Sequence, residues 1–358
     1  MGSGAPAASN GEPLVDRRAL ARWIDDRFGP ADEPLEVERH TQGHSNETFF
    51  VRRGEQSWVL RRPPRGAFLP TAHDVLREHR VLSAIADTPV RAPRPVAACS
   101  DPSVIGVPFY LMERVRGVVM RDLGPPVPSL TDAARRAVGE ELVDALAEVH
   151  AIGPRAAGLE GFGRETGYLE RQLRRWGGQL DLTEPLTRPL PDLRAAGEWL
   201  RANLPASGPA TLVHGDYKLD NVAFDPGLGR GAPPALAAIF DWEMATIGDP
   251  LADVGWMLSF WPAADEPATF AHDATAPSRL PGFAAREDLL SRYAERSGRS
   301  VTMAGLRFYR VLALFKLAIL LEGSYARHLA GHTDDPFFET LRTGVPNLAS
   351  RAVALTTS

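Results

Sequence analysis

The chain has 358 residues, a net charge of −5 and a pI near 6.0, a balance that argues against a nucleic-acid footprint. That length is enough for a substantial core, in two domains or one large bilobal one. The single cysteine, Cys99, has no internal disulfide partner, and residues 1–10 lack the basic start and apolar core of a signal peptide, so the reading is a cytoplasmic protein.

Residues 1–15 read as a disordered tail from their Gly, Ser and Ala content. The spacing of Leu20, Trp23 and Ile24 then predicts an amphipathic helix over 16–28. Residues 35–40 and 48–53 alternate like half-buried strands, with Gln42-Gly43-His44-Ser45-Asn46 between them. After a turn at Arg53-Gly54-Glu55, a third strand covers 57–61, and Pro63-Pro64 ends it. A helix over 73–86 carries Val75, Leu76, His79, Leu82 and Ile85 on one face, and strands follow at 95–99 and 108–112. From Thr131, an N-cap ahead of Asp132, helices dominate. Val138, Leu142, Leu146 and Val149 mark the buried stripe of the first; further helical segments cover 167–176, 193–204, 249–260, 285–297 and 304–325. The longest apolar run, 311–321, is interrupted by Lys316 and falls short of the ~20 residues a bilayer span needs, so no membrane partner is expected.

The strand-like segments of this helical half carry the chemistry. His214-Gly-Asp216-Tyr-Lys218-Leu-Asp-Asn221 puts a carboxylate, a lysine and a carboxamide on one short loop, and Asp241 follows the apolar segment 236–240. Phosphoryl transfer needs this inventory: one Asp to orient the attacking hydroxyl and accept its proton, a cation for the transferring group, and Asn with a second Asp to hold Mg²⁺ on the nucleotide phosphates. Taken alone, Asp216 is an ordinary turn carboxylate; the company of Asn221 and Asp241 favours catalysis. His214 reads as a packing and hydrogen-bonding residue. Of the 40 basic residues only Lys218 and Lys316 are lysine, so the one inside the string carries weight, as a compact charge able to approach a phosphoryl group.

These residues resemble the aminoglycoside phosphotransferase and choline kinase family, a branch of the protein-kinase-like fold, whose motif reads His-Gly-Asp with Asn five positions after the Asp. The resemblance covers 35–326. It implies an α+β, bilobal, protein-kinase-like fold: a small antiparallel β-sheet lobe with one main helix over 16–113, a hinge at 114–117 and a larger, mostly helical lobe over 118–358. It also implies transfer of the γ-phosphoryl group of ATP, or another nucleoside triphosphate, with Mg²⁺ to a hydroxyl of a small molecule. Asp216 would be the base with Lys218 beside it, and Asn221 and Asp241 would hold the metal. Gly43, Ser45 and Asn46 would contact phosphate, Glu113 and Val115 the nucleotide base, and Asp253 would hold the catalytic-loop backbone. Val59-Leu60-Arg61 stands where the family has its phosphate-binding lysine. Arg61, paired with Glu78 on the next helix, is therefore expected in that role, with Arg62 on the opposite strand face as the alternative.

The strings Trp58-Val-Leu-Arg-Arg-Pro-Pro and Ala72-His-Asp-Val-Leu-Arg-Glu78 are similar to phosphotransferase domains found beside acyl-CoA dehydrogenases. That likeness implies a hydroxylated acyl compound or other metabolite as acceptor, where the family name suggests an aminoglycoside. The cluster Arg171-Gln-Leu-Arg174-Arg175-Trp176 is a candidate contact for an anionic acceptor, and Glu322, Asp334 and Asp335 for a cationic one. Two rival classes are a non-catalytic nucleotide-binding module, conceivable because of Arg61, and a metal-dependent hydrolase built on His214, Asp216 and Asp241.

Overall fold

The computed structural model describes residues 14–40, 46–64, 74–269, 271–332 and 335–357. Contacts divide the chain into two compact units, Met1–Ala86 with Pro93–Val115, and Asp87–Ala92 with Arg116–Ser358.

The first unit opens with helix α1 (Arg17–Phe28), whose first turn is closed by the Asp16 carboxylate accepting from the N–H groups of Arg18 and Ala19 at 2.9 and 3.0 Å. Strands β1 (Glu36–His40), β2 (Glu47–Arg53), β3 (Gln56–Arg62), β4 (Pro95–Cys99) and β5 (Phe109–Glu113) form one antiparallel sheet in the order β1-β2-β3-β5-β4. Helix α2 (Val75–Ile85) lies between β3 and β4 in the chain and packs on β4 and β5. Alternation does the sorting. Phe49, Val51, Trp58, Leu60, Phe109 and Leu111 share one face and form a core with Leu20 and Ile24 of α1. The other face carries Arg61, opposite Thr48 on β2 and Tyr110 on β5. Trp58 to Arg62 are all buried, so the central strand is covered on both faces.

The second unit holds helices α3 (Asp132–His150), α4 (Tyr168–Thr183), α5 (Pro191–Ala202), α6 (Leu251–Ser259), α7 (Ala271–Ala274), α8 (Arg286–Ser297), α9 (Met303–Leu329) and α10 (Pro336–Thr357). Between α5 and α6 run two antiparallel ladders, β6 (Thr211–Val213) with β9 (Thr246–Gly248) and β7 (Val222–Phe224) with β8 (Leu236–Ile239). Helix α9 contacts α4, α5, α6 and α10, and contains the apolar run 311–321, in which residues 311–319 are buried and Leu320 is exposed. Among the described residues no helix is long and apolar enough to cross a membrane. Gly255 on α6 sets the closest approach to α9: a Cβ there would lie 2.7 Å from the carbonyl carbon of Tyr309.

Three helices differ from the sequence reading, the short α7 among them because no helix was expected there. Helix α4 continues past Trp176 to Thr183, burying Gly177 and Leu180. Helix α10 was not among the expected segments, and Pro346 sits inside it. Proline has no N–H to give to the carbonyl of Arg342 one turn earlier. The guanidinium of Arg188 donates to that oxygen instead, and to the oxygen of Leu341 at 2.9 Å.

Candidate active site

The string 214–221 leaves β6 and enters β7 through a tight loop that residues of other elements hold in place. Gly215 has φ 85°, and a Cβ at this position would meet the Met244 oxygen at 2.6 Å, so the backbone here requires glycine. Asp253, buried on α6, accepts from the N–H groups of His214 at 2.6 Å and Gly215 at 2.8 Å. Burial favours protonation of its carboxyl, but the hydrogen bonds from the His150 ring and the His214 N–H favour the carboxylate and hold its pKa below the usual value. Asp249 receives the Leu251 N–H at 3.0 Å and the Tyr309 hydroxyl at 2.7 Å, so it shapes the entry to α6 ahead of Pro250.

His214 is structural. Its Nδ1 accepts from the Asp216 N–H at 3.2 Å and its Nε2 donates to the Phe240 oxygen at 2.8 Å, an arrangement that needs the neutral ring protonated at Nε2. The ring packs against Tyr217 and Trp242.

Asp216 has both carboxylate oxygens engaged. Trp256 Nε1 donates to Oδ1 and Asn221 Nδ2 to Oδ2, each at 2.8 Å, while Lys218 Nζ lies 3.6 Å from Oδ1. The side chains of Asp216 and Lys218 are each 20% exposed, enough for a reactant to touch them. Burial works against the Lys218 charge, yet the carboxylates of Asp216, Asp220 and Asp241 together raise its pKa, so it stays an ammonium. Asn221 Nδ2 also donates to the Asp216 main-chain oxygen at 2.8 Å, so the amide nitrogen is the end turned toward residue 216. The Phe240 N–H donates to the Asn221 main-chain oxygen at 2.8 Å, tying the end of β8 to this residue. Asp241 follows at φ 65°, the one non-glycine residue with positive φ among those described. Asp tolerates this left-handed geometry at moderate cost, and such outliers concentrate at functional positions.

In the first unit, Arg61 Nε stands 3.3 Å from Glu78 Oε2, with the two side chains 10% and 2% exposed. Arg62 faces the other way and donates to the oxygens of Leu14 and Pro63. Asn46 is buried at the start of β2; Gly43 and Ser45 lie outside the described residues. Glu113 ends β5, its N–H donating to the Arg94 oxygen at 2.8 Å, and Val115 closes this unit.

The sequence pattern of the Phosphotransferase enzyme family matches residues 36–289. The chain belongs to this family. It is 33% identical over 331 residues to acyl-CoA dehydrogenase family member 11 of Pongo abelii, covering 90% of this chain and 41% of that protein. The chain thus spans about two fifths of that relative's length. Among solved structures, a "putative aminoglycoside phosphotransferase" of Ralstonia eutropha JMP134 is 30% identical, with a TM-score of 0.77 and coverage of 96% of this chain and 98% of that one. The GDP complex of wild-type aminoglycoside 2'-phosphotransferase-IIIa, 18% identical with a TM-score of 0.61 and coverage of 95% and 99%, shares the fold. The expected kinase-like α+β fold is the one found.

For this phosphotransferase, sequence reasoning passed over two residues at the loop. Trp256 lies forty positions from the carboxylate it holds. Lys316 was read only as an interruption in an apolar helix, yet its Nζ donates to the Gly215 oxygen. The rarity of lysine, used to single out Lys218, applied equally to Lys316. Two acceptor candidates are otherwise engaged: Glu322 is fully buried against Arg188, with contacts of 2.8 and 3.1 Å, and Arg171 donates to the oxygens of Arg164 and Thr166. Asp334 lies outside the described residues.

Proposed function

We propose that this phosphotransferase moves the γ-phosphoryl group of ATP, with Mg²⁺, to a hydroxyl of a small molecule, with Asp216 as the base. The observation that carries the reading is the carboxylate of Asp216, aimed by Trp256 and Asn221 with an ammonium 3.6 Å away. The GDP-bound fold neighbour supports nucleotide use.

The donors suit a metal that arrives with phosphates. One carboxamide oxygen and one carboxylate are too few for an all-protein cage, whereas Mg²⁺ takes one or two protein ligands and completes its shell with water and phosphate oxygens. Asn221 and Asp241 would supply the protein share, and the chemistry gained is neutralisation of charge on the phosphates. Asp216 orients the acceptor hydroxyl and takes its proton as the new O–P bond forms. The bond from the γ-phosphorus to the bridging oxygen breaks, and ADP departs. Lys218 faces the charge on the transferring group. Arg61, its charge braced by Glu78, takes the phosphate contact in the first unit. Glu113 and Val115 face the nucleotide base, and Gly43, Ser45 and Asn46 its phosphates.

Among the described residues no group of three or more His, Cys, Asp and Glu side chains is placed to hold a metal, which weighs against the hydrolase reading. Similarity to acyl-CoA dehydrogenase family member 11 favours a hydroxylated acyl compound or related metabolite as acceptor over an aminoglycoside. The test is ADP release from Mg-ATP across a panel of antibiotics and hydroxyacyl thioesters. One hydroxyl compound should stimulate release while its deoxy analogue does not. Turnover of a panel member without ADP formation would instead favour the hydrolase.

A further inference from the structure

We propose that Lys316 is a positioning residue for phosphoryl transfer, fixing the peptide carbonyl that precedes Asp216 and the indole that holds the Asp216 carboxylate. The inference rests on Asp216 being the base.

Lys316 lies in the middle of α9 and is 9% exposed, although lysine is the basic residue this chain almost never uses. A buried ammonium persists only where specific partners offset its lost hydration. Here the two nearest partners belong to the machinery around Asp216. Nζ donates to the Gly215 oxygen, lies 4.0 Å from the Trp256 ring centroid and 5.8 Å from that of Trp176. The same Trp256 donates its indole N–H to Asp216 Oδ1.

The Gly215–Asp216 peptide is thereby held on both edges, its oxygen by Lys316 and its N–H by His214 Nδ1. The preceding peptide is held by Asp253, and the contact of Gly215 with Met244 leaves no slack. Removing the ammonium frees one edge of the peptide and the face of the indole together. The carboxylate that must meet the acceptor hydroxyl then loses its aim, while Asn221 and Asp241 are untouched. Misplacement of this kind costs turnover more than nucleotide binding.

The charged groups facing Lys316 are Arg175 on α4, Asp216 and Lys218 on the loop, and Asp253 on α6. Burial lowers the Lys316 pKa to about 8, the two carboxylates opposing and the two cations assisting. Positioning is therefore complete below this value and lost above it.

The experiment measures ADP release from Mg-ATP, with water as acceptor, against pH for the wild type, Lys316→Met and Lys316→Arg. Mg-ATP affinity is measured on each by calorimetry. Wild-type turnover should fall with a midpoint near pH 8. Lys316→Met should lose roughly ten- to hundredfold in turnover at neutral pH with KM for ATP unchanged, and should lack the alkaline limb. Lys316→Arg should recover part of the rate and move the limb upward. Equal turnover in Lys316→Met and wild type, an alkaline limb that survives in Lys316→Met, or loss confined to ATP affinity overturns the proposal. If Lys316→Met does not fold, the other two profiles decide: a wild-type rate flat through pH 8, or a limb that Lys316→Arg leaves in place, overturns it. An Asp216→Ala variant that matches the wild type would instead overturn the phosphotransfer reading itself.

Discussion

Asp216 needs to be a carboxylate for a reason visible in its two partners. Both oxygens accept, one from an indole N–H and the other from an amide, and a carboxamide in its place would set N–H₂ against the donor of Asn221. Asp216→Ala is therefore the cleaner substitution, because Asn221 keeps its bond to the main-chain oxygen of residue 216. We expect it to lower turnover by a factor on the order of 10²–10⁴ while Mg-ATP affinity stays close to wild type. Asp241→Ala should do the reverse and abolish the Mg²⁺ dependence of ATP binding; calorimetry with and without Mg²⁺ compares the two, and identical behaviour would undo the division of roles. Arg61 and Arg62 form a second contrast. Arg61→Ala should weaken ATP binding and Arg61→Lys retain much of it, since a cation beside Glu78 is what the position supplies. Arg62→Ala should leave ATP affinity alone but cost stability, about 1–3 kcal/mol, because its guanidinium serves the main-chain oxygens of Leu14 and Pro63. Denaturant titration beside ATP binding reads both; an essential Arg62 would reverse the assignment.

At the scale of elements, α6 ties the loop to the helices around it through Asp253. That carboxylate meets His150 Nε2 of α3 at 3.3 Å, and His150 Nδ1 meets the Tyr293 hydroxyl of α8 at 2.8 Å. The ring is buried, and burial lowers its pKa below the ordinary 6.5 even though Asp253 pulls the other way. A histidine whose folded pKa is depressed is neutral in the native state where the unfolded chain is already taking up a proton. Above about pH 6.5 it therefore costs nothing, and as pH falls from there toward the folded pKa the unfolded state gains. His150→Gln, which can keep one hydrogen bond and cannot titrate, should be less stable than wild type at pH 7 and lose less on going to pH 5. Parallel stability curves for the two proteins would show that acid destabilisation arises elsewhere. Helix α10 makes a related point: a proline is tolerated within it because Arg188 reaches across to the carbonyl the proline cannot satisfy.

For the molecule as a whole, nucleotide and metal should act as folding ligands. At a hundredfold excess over Kd, Mg-ATP should stabilise the protein by about 2.7 kcal/mol, raising Tm, and chelation of Mg²⁺ should remove much of that shift. Equal shifts with and without Mg²⁺ would argue against a metal that bridges phosphates to Asn221 and Asp241. Within the second unit Glu322 pairs with Arg188, and Glu266 with Arg286 and Arg351.

What the sequence determined by itself was local. Period-two alternation marked the first two strands of the first unit and turn residues bounded the third, Thr131 marked the start of α3, and the spacing from His214 to Asn221 placed a carboxylate and a carboxamide close enough to meet, as Asp216 and Asn221 do. Such signals survive because turn geometry and side-chain period depend on neighbours a few residues away. The placement of Trp256 on Asp216, of Lys316 on Gly215 and of Arg188 on α10 depended instead on how helices pack, across separations of 40, 101 and 154 residues. No period or spacing encodes a partner at that distance, since a buried lysine and a mid-helix proline look like interruptions until the element that satisfies them is in place. Tertiary structure alone decided those, because only packing brings a donor to an acceptor that local sequence leaves unpaired.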